Sequence, residues 1–553
     1  MFPLTDDRAL DIELAGAKAA WLARGLRADL PILPGFVVSA TASREYLSLG
    51  GEALAESGSG AARMAIIRAD PPAVLEELEA ATADWSEPLV ARSSSILEAG
   101  GEWSGAFTSY LDLRHGELAV GVRGCWASIF SANTLERFEA SGKDPREAPM
   151  AVLVQPALQT DFGGTARLVG DVVEVAAVRG SPAPLVQGWE PGVAARVDAE
   201  GGIDGPAAIE LLDTELINQV ADLLVTAHTE IGATGCEWGI ASGDVFLFQL
   251  TRSVQPSVDE SSTLVPELAG SEAERIGALV RRYPGPLGEA LVLPWALGLR
   301  SPDLSVPVVT LEANLDSIDE IRQAAERLTA QVWAQPRGQA NESARRALQA
   351  LRGTDPAEAI GRIVDLRPPD PEAAGMILGL IDALADATTR TGLITQPELI
   401  WQVEPADVGK AMAGETLTRR ERYGFDRWEP FTASVVTATG KRAQGQSAGP
   451  GVAAGRMCRV LDTEDMESFR PRDVLVSTHP VPNLAPLLWD ASGIVTTGGS
   501  AGAHLFESAR AVGIPAVCGI RLEEVLGGDL AAVEGEYVLA VDGSNGTVTA
   551  APW

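Results

Sequence analysis

His504 stands behind three glycines, Gly498, Gly499 and Gly502, and opens the segment HLFESARAV. The apolar pair Ile494-Val495 precedes them, and Gly513, Ile514-Pro515 and the apolar run Ala516-Val517-Cys518 follow. Residues 495–519 therefore read as strand, glycine loop, helix, turn and strand. Glycines can take positive φ and let a backbone approach a ligand closely. The free N–H groups and the dipole at a helix start favour an anion. Imidazole is nucleophilic near neutral pH with little tuning. A histidine so placed is suited to receive a phosphoryl group. A surface histidine on a glycine-rich turn accounts for the same residues. On the local pattern alone that plainer reading leads, because short motifs match by chance.

The chain is 553 residues long, enough for three or so domains, and 46% hydrophobic. No run of eighteen apolar residues is present, so no membrane span is expected. The start, MFPLTDDRALDIELAG, lacks a basic region followed by an apolar one, so no secretory leader is expected either, and the cytoplasm is the expected compartment. Cys125, Cys236, Cys458 and Cys518 form no CxxC and read as buried free thiols. His115, His228, His479 and His504 lack metal-ligand spacing, so a structural zinc is not expected. A formal charge of −33 argues against nucleic acid or an anionic membrane as partner. A nucleotide needs only a few local basic residues and stays open.

Periodicity places a helix over 14–26, a Pro-flanked strand over 30–38, a strand over 89–95 and a helix over 122–130. Strands over 150–157 and 171–178 and a hairpin over 235–252 follow. The middle of the chain changes character. Helices are expected over 318–335, 342–351, 356–366 and 371–389, with caps at Asp316 or Ser317, Asp355 and Asp370. The aromatic and basic run 281–300 (Arg281, Arg282, Tyr283, Trp295, Arg300) is explained mostly by core packing and solvated loops; a substrate-pocket wall is the alternative. Residues 433–451 are rich in small residues and glycine, as a hinge would be.

The stretch around His504 resembles the mobile phosphohistidine domain of the PEP-utilising enzymes, the family of PEP synthase, pyruvate phosphate dikinase and rifampin phosphotransferase. His504, Ala509, Arg510, Gly513, Ile514, Pro515, Ala516, Val517 and Gly519 fall in that family's register. Ala503 replaces a serine or threonine, and the glycine pair sits one place early. With the resemblance, the phosphoryl-accepting reading of His504 overtakes the plainer one.

The N-terminal part is similar to the family's nucleotide-binding domain. Gly16, Lys18, Leu22 and the run Pro34-Gly35-Phe36-Val37-Val38 match its opening, which implies that Lys18 reaches a nucleotide phosphate. Arg92-Ser93-Ser94 matches its Arg-Ser-Ser, which implies a guanidinium fork for phosphate oxygens. EWSGAFTSYLDL resembles its triphosphate-covering glycine loop, with Phe107 near a usually polar place and Ser104 and Thr108 as the available hydroxyls. MAVLVQPA resembles the strand bordering the adenine, which places the adenine edge along residues 152–155 and makes Gln155 a binding candidate. Asn133 stands where the family has a nucleotide-binding arginine, with Arg123 and Arg137 nearby. The family's Gly-Leu-Gly-Glu is reduced to Arg179-Gly180-Ser181-Pro182, so its acidic residue is absent. The hairpin 235–252 resembles the ATP-grasp signature, and Glu237 and Gln249 keep the separation of its metal-facing pair. Arg252 lies one residue further from Gln249 than usual. Strand faces alternate, so either Gln249 or Arg252 turns outward unless a bulge rescues both.

Taken together, the resemblance implies an α/β multidomain chain: an ATP-grasp domain over 1–255, a helical acceptor-binding domain and connector over 256–440, and a swivelling α/β phosphohistidine domain over 441–553. It covers about 1–255 and 396–553, and the order is that of a shortened rifampin phosphotransferase. No PEP/pyruvate barrel is expected after residue 553, which sets PEP synthase and the dikinase aside as whole-chain matches. The implied chemistry is ATP- and Mg²⁺-dependent phosphoryl transfer through His504 to a small-molecule acceptor. The competing reading is a nucleotide-binding relative that kept the fold as a scaffold or regulator. An ATP-grasp ligase has no use for a histidine domain and ranks last.

Overall fold

The computed structural model describes residues 1–252, 433, 436–470, 472–528, 530, 533 and 537–552. The middle helices, the 281–300 run and the charged connector expected from sequence lie outside the described residues.

The N-terminal part carries two antiparallel sheets. The first is built from β1 (Phe2–Pro3), β2 (Phe36–Val38), β3 (Leu89–Ser95), β4 (Tyr110–Leu113) and β5 (Met150–Pro156), in the order β1-β2-β5-β3-β4. β5 is apolar almost throughout because it is buried on both faces. Ala151 and Leu153 enter one core, with the Ile12–Arg27 helix residues Ala15, Ala19 and Leu22. Met150, Val152 and Val154 enter another, with Trp126, Phe130 and Trp103. The strand expected over 30–38 shortens to Phe36–Val38, because the prolines at 31 and 34 cannot donate to a ladder.

The second sheet contains β6 (Phe162–Val169), β7 (Val172–Arg179), β8 (Val193–Val197), β9 (Ile203–Asp204), β10 (Gly235–Ala241) and β11 (Asp244–Thr251), ordered β11-β10-β6-β7-β8-β9. Its strands alternate. Ala166, Val175, Cys236, Trp238 and Leu250 point into the first core, while Thr165, Arg167, Glu174, Glu237 and Gln249 line the opposite face. The helix Thr214–Ile231 covers the apolar side with Ile217, Val220, Ala221, Leu224 and Ala227. Asp213 caps its start by accepting from the Leu216 N–H, and Gly232 ends it in the left-handed region.

The C-terminal part is one eight-stranded sheet: β12 (Lys441–Gln444), β13 (Gln446–Gly449), β14 (Val452–Arg459), β15 (Val474–Ser477), β16 (Gly493–Thr496), β17 (Ala516–Cys518), β18 (Tyr537–Asp542) and β19 (Thr547–Pro552). Their order is β12-β19-β18-β14-β15-β16-β17-β13. β12 and β13 are separated only by Gly445 yet stand at opposite ends of that order. The sheet therefore wraps round on itself. Met457, Val474, Val476, Val495, Val517, Leu539 and Val541 fill the inside. Leu475, Ile494 and Ala516 face outward, where Leu505, Phe506 and Ala509 of the helix His504–Ala511 cover them. Eight residues of the stretch read as a hinge, 441–444 and 446–449, are thus strand. β12 pairs with β19 and β13 with β17, so 441–449 belongs to the sheet.

Candidate active site

His504 is the first residue of the helix His504–Ala511, which follows the glycine loop after β16 as its sequence implies. The Ala503 cap makes no side-chain hydrogen bond. The imidazole meets the N-terminal part of the chain directly. Its Nδ1 is 2.8 Å from the Ser104 hydroxyl, and its Nε2 is 4.0 Å from a Glu237 carboxylate oxygen. Ser104 also donates to Glu507 Oε2 at 2.5 Å, and that oxygen is 3.7 Å from Nδ1. Gly105 follows Ser104 with φ +66°, and a Cβ there would lie 2.9 Å from the Cβ of His504. Both its conformation and its closeness to the imidazole demand glycine. Burial alone would raise the Glu507 carboxyl. The hydrogen bond and charge of His504 and the Ser104 hydroxyl outweigh it and hold the group below the usual range.

Glu237 and Gln249 are direct cross-strand partners on β10 and β11. Both line a cavity of about 890 Å³ between the second sheet and the histidine domain, together with Thr165, His504, Glu507 and Arg510. The hairpin does contain a bulge, between Glu237 and Trp238, where the register skips Phe248. It lies before Gln249, so it leaves the slip after Gln249 unrescued. Gln249 turns into the cavity. Arg252, past the end of β11, is exposed and does not line it.

The bulged Phe248 receives Arg92. One Arg92 Nη donates to the Phe248 carbonyl at 3.5 Å, and the guanidinium lies 5.6 Å from the Phe248 ring centre. Among the described residues its buried Nε has no partner. Burial pulls the guanidinium pKa down, and the Glu237 charge works against that shift. Lys18 is held by an ion pair to Glu98, whose other oxygen accepts from the Ser95 N–H. The Gln155 amide donates to the Leu33 carbonyl at 2.9 Å. Over 152–154, β5 is paired on both sides, by β2 and by β3. The main chain over 152–154 therefore has no free edge with which to read adenine, which narrows the expectation for 152–155 to Gln155, paired by β3 alone. Lys18, Arg92 and Gln155 stand outside the cavity that joins His504, Glu237 and Gln249.

Asn133 and Arg137 serve the contact between the two parts. The Asn133 amide donates to the Asn483 carbonyl at 3.0 Å. Arg137 donates to Ser104 O at 3.0 Å and Pro482 O at 2.8 Å. It is fully buried, and burial lowers its pKa to about 10. Arg123 turns away, to the Ala69 and Ala119 carbonyls. Phe107 stacks on Trp103 in the core. Glu507 went unnoticed in the sequence, although three residues after His504 is the spacing that shares a helix face.

Residues 12–188 match the family described as pyruvate phosphate dikinase, AMP/ATP-binding domain. Residues 469–546 match the family described as PEP-utilising enzyme, mobile domain. Both matches are to domains of the PEP-utilising enzymes, and the chain carries the two in one polypeptide. Lys18, Arg92, Ser104 and Gln155 fall in the first match and His504 and Glu507 in the second; Glu237 and Gln249 fall in neither. A probable phosphoenolpyruvate synthase of Pyrococcus horikoshii is 33% identical over 102 residues, 18% of this chain and 12% of the relative. The uncharacterized phosphotransferase YvkC of Bacillus subtilis is 36% identical over 210 residues, 31% of this chain and 24% of the relative. Similarity to the phosphoenolpyruvate synthase of Aeropyrum pernix runs over 98% of this chain at 23% identity and spans 56% of that enzyme. The chain thus spans about half of the Aeropyrum pernix relative and far less of the other two. No helix among the described residues is long and apolar enough to cross a membrane.

Proposed function

We propose that this chain is an ATP-dependent phosphotransferase of the dikinase type, with His504 as its phosphoryl carrier. The observation that carries this reading is the pose of His504. Its imidazole rests on the Ser104-Gly105 loop and directs Nε2 toward Glu237. In this reading the two N-terminal sheets form an ATP-grasp domain with the nucleotide between them. The Nε2 lone pair attacks the β-phosphorus of ATP. The bond to the α,β-bridging oxygen breaks, and AMP leaves with that electron pair. Water then attacks the γ-phosphorus, phosphate departs, and one phosphoryl remains on Nε2. The histidine domain swings, and the phosphoryl passes to a small-molecule acceptor held by the middle domain, in the layout of rifampin phosphotransferase.

The buried Nε of Arg92, without a partner among the described residues, suits a phosphate oxygen, and Lys18 adds a second cation once it leaves Glu98. Glu237 and Gln249 supply a carboxylate and an amide oxygen side by side on one cavity wall, a donor set that fits Mg²⁺. Bound there, Mg²⁺ would neutralise phosphate charge. Without it, Glu237 would repel the phosphates that His504 must attack.

One observation favours a non-catalytic nucleotide binder: Asn133 stands where the family has an arginine, and its amide is used for docking. AMP formation separates the two readings. With ATP and Mg²⁺ the native chain forms AMP; His504→Ala binds ATP with unchanged affinity and forms none. AMP release undiminished in His504→Ala removes the carrier, and binding without AMP in the native chain favours the scaffold.

A further inference from the structure

We propose that Ser104 and Glu507 are positioning residues that fix the tautomer of His504, placing its proton on Nδ1 and leaving the Nε2 lone pair free to attack. The inference rests on the phosphotransferase reading for its consequence and on hydrogen-bond bookkeeping for its substance. A serine hydroxyl has one proton and can accept through its lone pairs, whereas an ionised carboxylate only accepts. Ser104 lies 2.5 Å from Glu507 Oε2 and 2.8 Å from His504 Nδ1. Its proton goes to the carboxylate, so its oxygen accepts, and the hydrogen between Ser104 and the ring belongs to Nδ1. The hydrogen bond made at one ring nitrogen decides which nitrogen carries the proton.

The arrangement crosses the domain boundary. Glu507 travels with His504 on one helix, and Ser104 belongs to the nucleotide-binding part. A neutral histidine in water carries its proton mostly on Nε2, the nitrogen that must attack. Docking against Ser104 therefore selects the nucleophilic form where ATP is bound. When Nε2 bonds to phosphorus the ring becomes a cation and keeps its Nδ1 proton. The Glu507 carboxylate, 3.7 Å from Nδ1, then faces that charge. No proton has to leave during the step.

Nitrogen-15 labelling of the histidines in the full chain, read by two-bond proton–nitrogen correlations, tests this without any turnover. The His504 signals are identified by their loss in His504→Gln. In the neutral His504 ring of the native chain the proton should lie on Nδ1, and Ser104→Ala should move it to Nε2. Ser104→Thr, which keeps the hydroxyl, should restore the native pattern. With ATP and Mg²⁺, Ser104→Ala should slow phosphohistidine formation at least tenfold at unchanged ATP affinity. A native ring protonated on Nε2, or one unaltered in Ser104→Ala, overturns the assignment. A native Nδ1–H tautomer that depends on Ser104 in a chain that never forms phosphohistidine upholds the positioning and overturns the phosphotransferase. Equal phosphorylation of native chain and Ser104→Ala does the reverse.

Discussion

Arg92 and Lys18 are the two cations the proposal sets against the nucleotide, and the structure gives them unequal starting points. Arg92 keeps a buried N–H with no partner among the described residues, whereas Lys18 is already paired with Glu98. Arg92→Ala should weaken ATP binding by about 1.5–3 kcal/mol, the worth of a charge-assisted hydrogen bond, or roughly ten- to a hundredfold in Kd. Lys18→Ala should lie at the weak end of that range, because an ATP-bound lysine first gives up Glu98. Calorimetry showing unchanged affinity in both would take these residues out of the site. The helix start at His504 was legible in the sequence from the glycines before it, and the structure places it there as read; the phosphoryl-accepting reading came from the family resemblance, not from the local pattern. Ser104 as its partner was not legible, because 400 positions separate them and only the docking of two domains brings them together. Arg252 shows the limit of spacing arguments. The hairpin has a bulge, but it lies before Gln249, where it does not turn Arg252 inward.

At the scale of elements, the strands read over 89–95, 150–157 and 171–178 and the hairpin over 235–252 stand within a residue of where expected, because each pattern reports how many faces the strand buries, whereas the strand read over 30–38 keeps only its last three residues. The 433–451 segment misled, since its small residues suit a hinge and also suit edge strands of a tightly wrapped sheet. The glycine loop before His504 shows docking in one atom. A Cβ on Gly502 would lie 2.1 Å from the Thr165 hydroxyl, and its nearest neighbours all belong to Thr165, on the other part of the chain. Gly502→Ala should therefore cost its own domain little, with a denaturation midpoint that corresponds to within about 0.5 kcal/mol of the parent, yet disfavour the docked pose. Small-angle scattering should show a larger radius of gyration. Thr165→Ala on that background, which removes the hydroxyl and methyl, should recover most of the compactness. An unchanged radius in Gly502→Ala would show that the loop yields.

At the scale of the molecule, the cores are separate. Among the described residues, the large apolar clusters lie wholly on the N-terminal or wholly on the C-terminal side. Hydrogen bonds join the sides, Arg137 to Pro482 O, Asn133 to Asn483 O and Arg167 to Ser447 O, beside a Trp189–His479 ring contact. Such contacts suit the proposed swing of the histidine domain, in which one fixed pose of His504 would serve only one site. The buried thiols give an independent check of the packing. Burial pushes Cys125, Cys236 and Cys518 up to about 12, so at pH 8 the native chain should resist alkylation there and react at all three once unfolded. Rapid native labelling of any of them would contradict that packing. The central claim is that His504 carries the β-phosphoryl of ATP. The most direct measurement is incubation with ATP labelled at the β-phosphorus and Mg²⁺, followed by intact mass and peptide mapping under conditions that preserve phosphohistidine. One labelled phosphoryl on the peptide containing His504, with AMP formed in equal amount, is the predicted result; label on another residue, or AMP with no label on the chain, would contradict it.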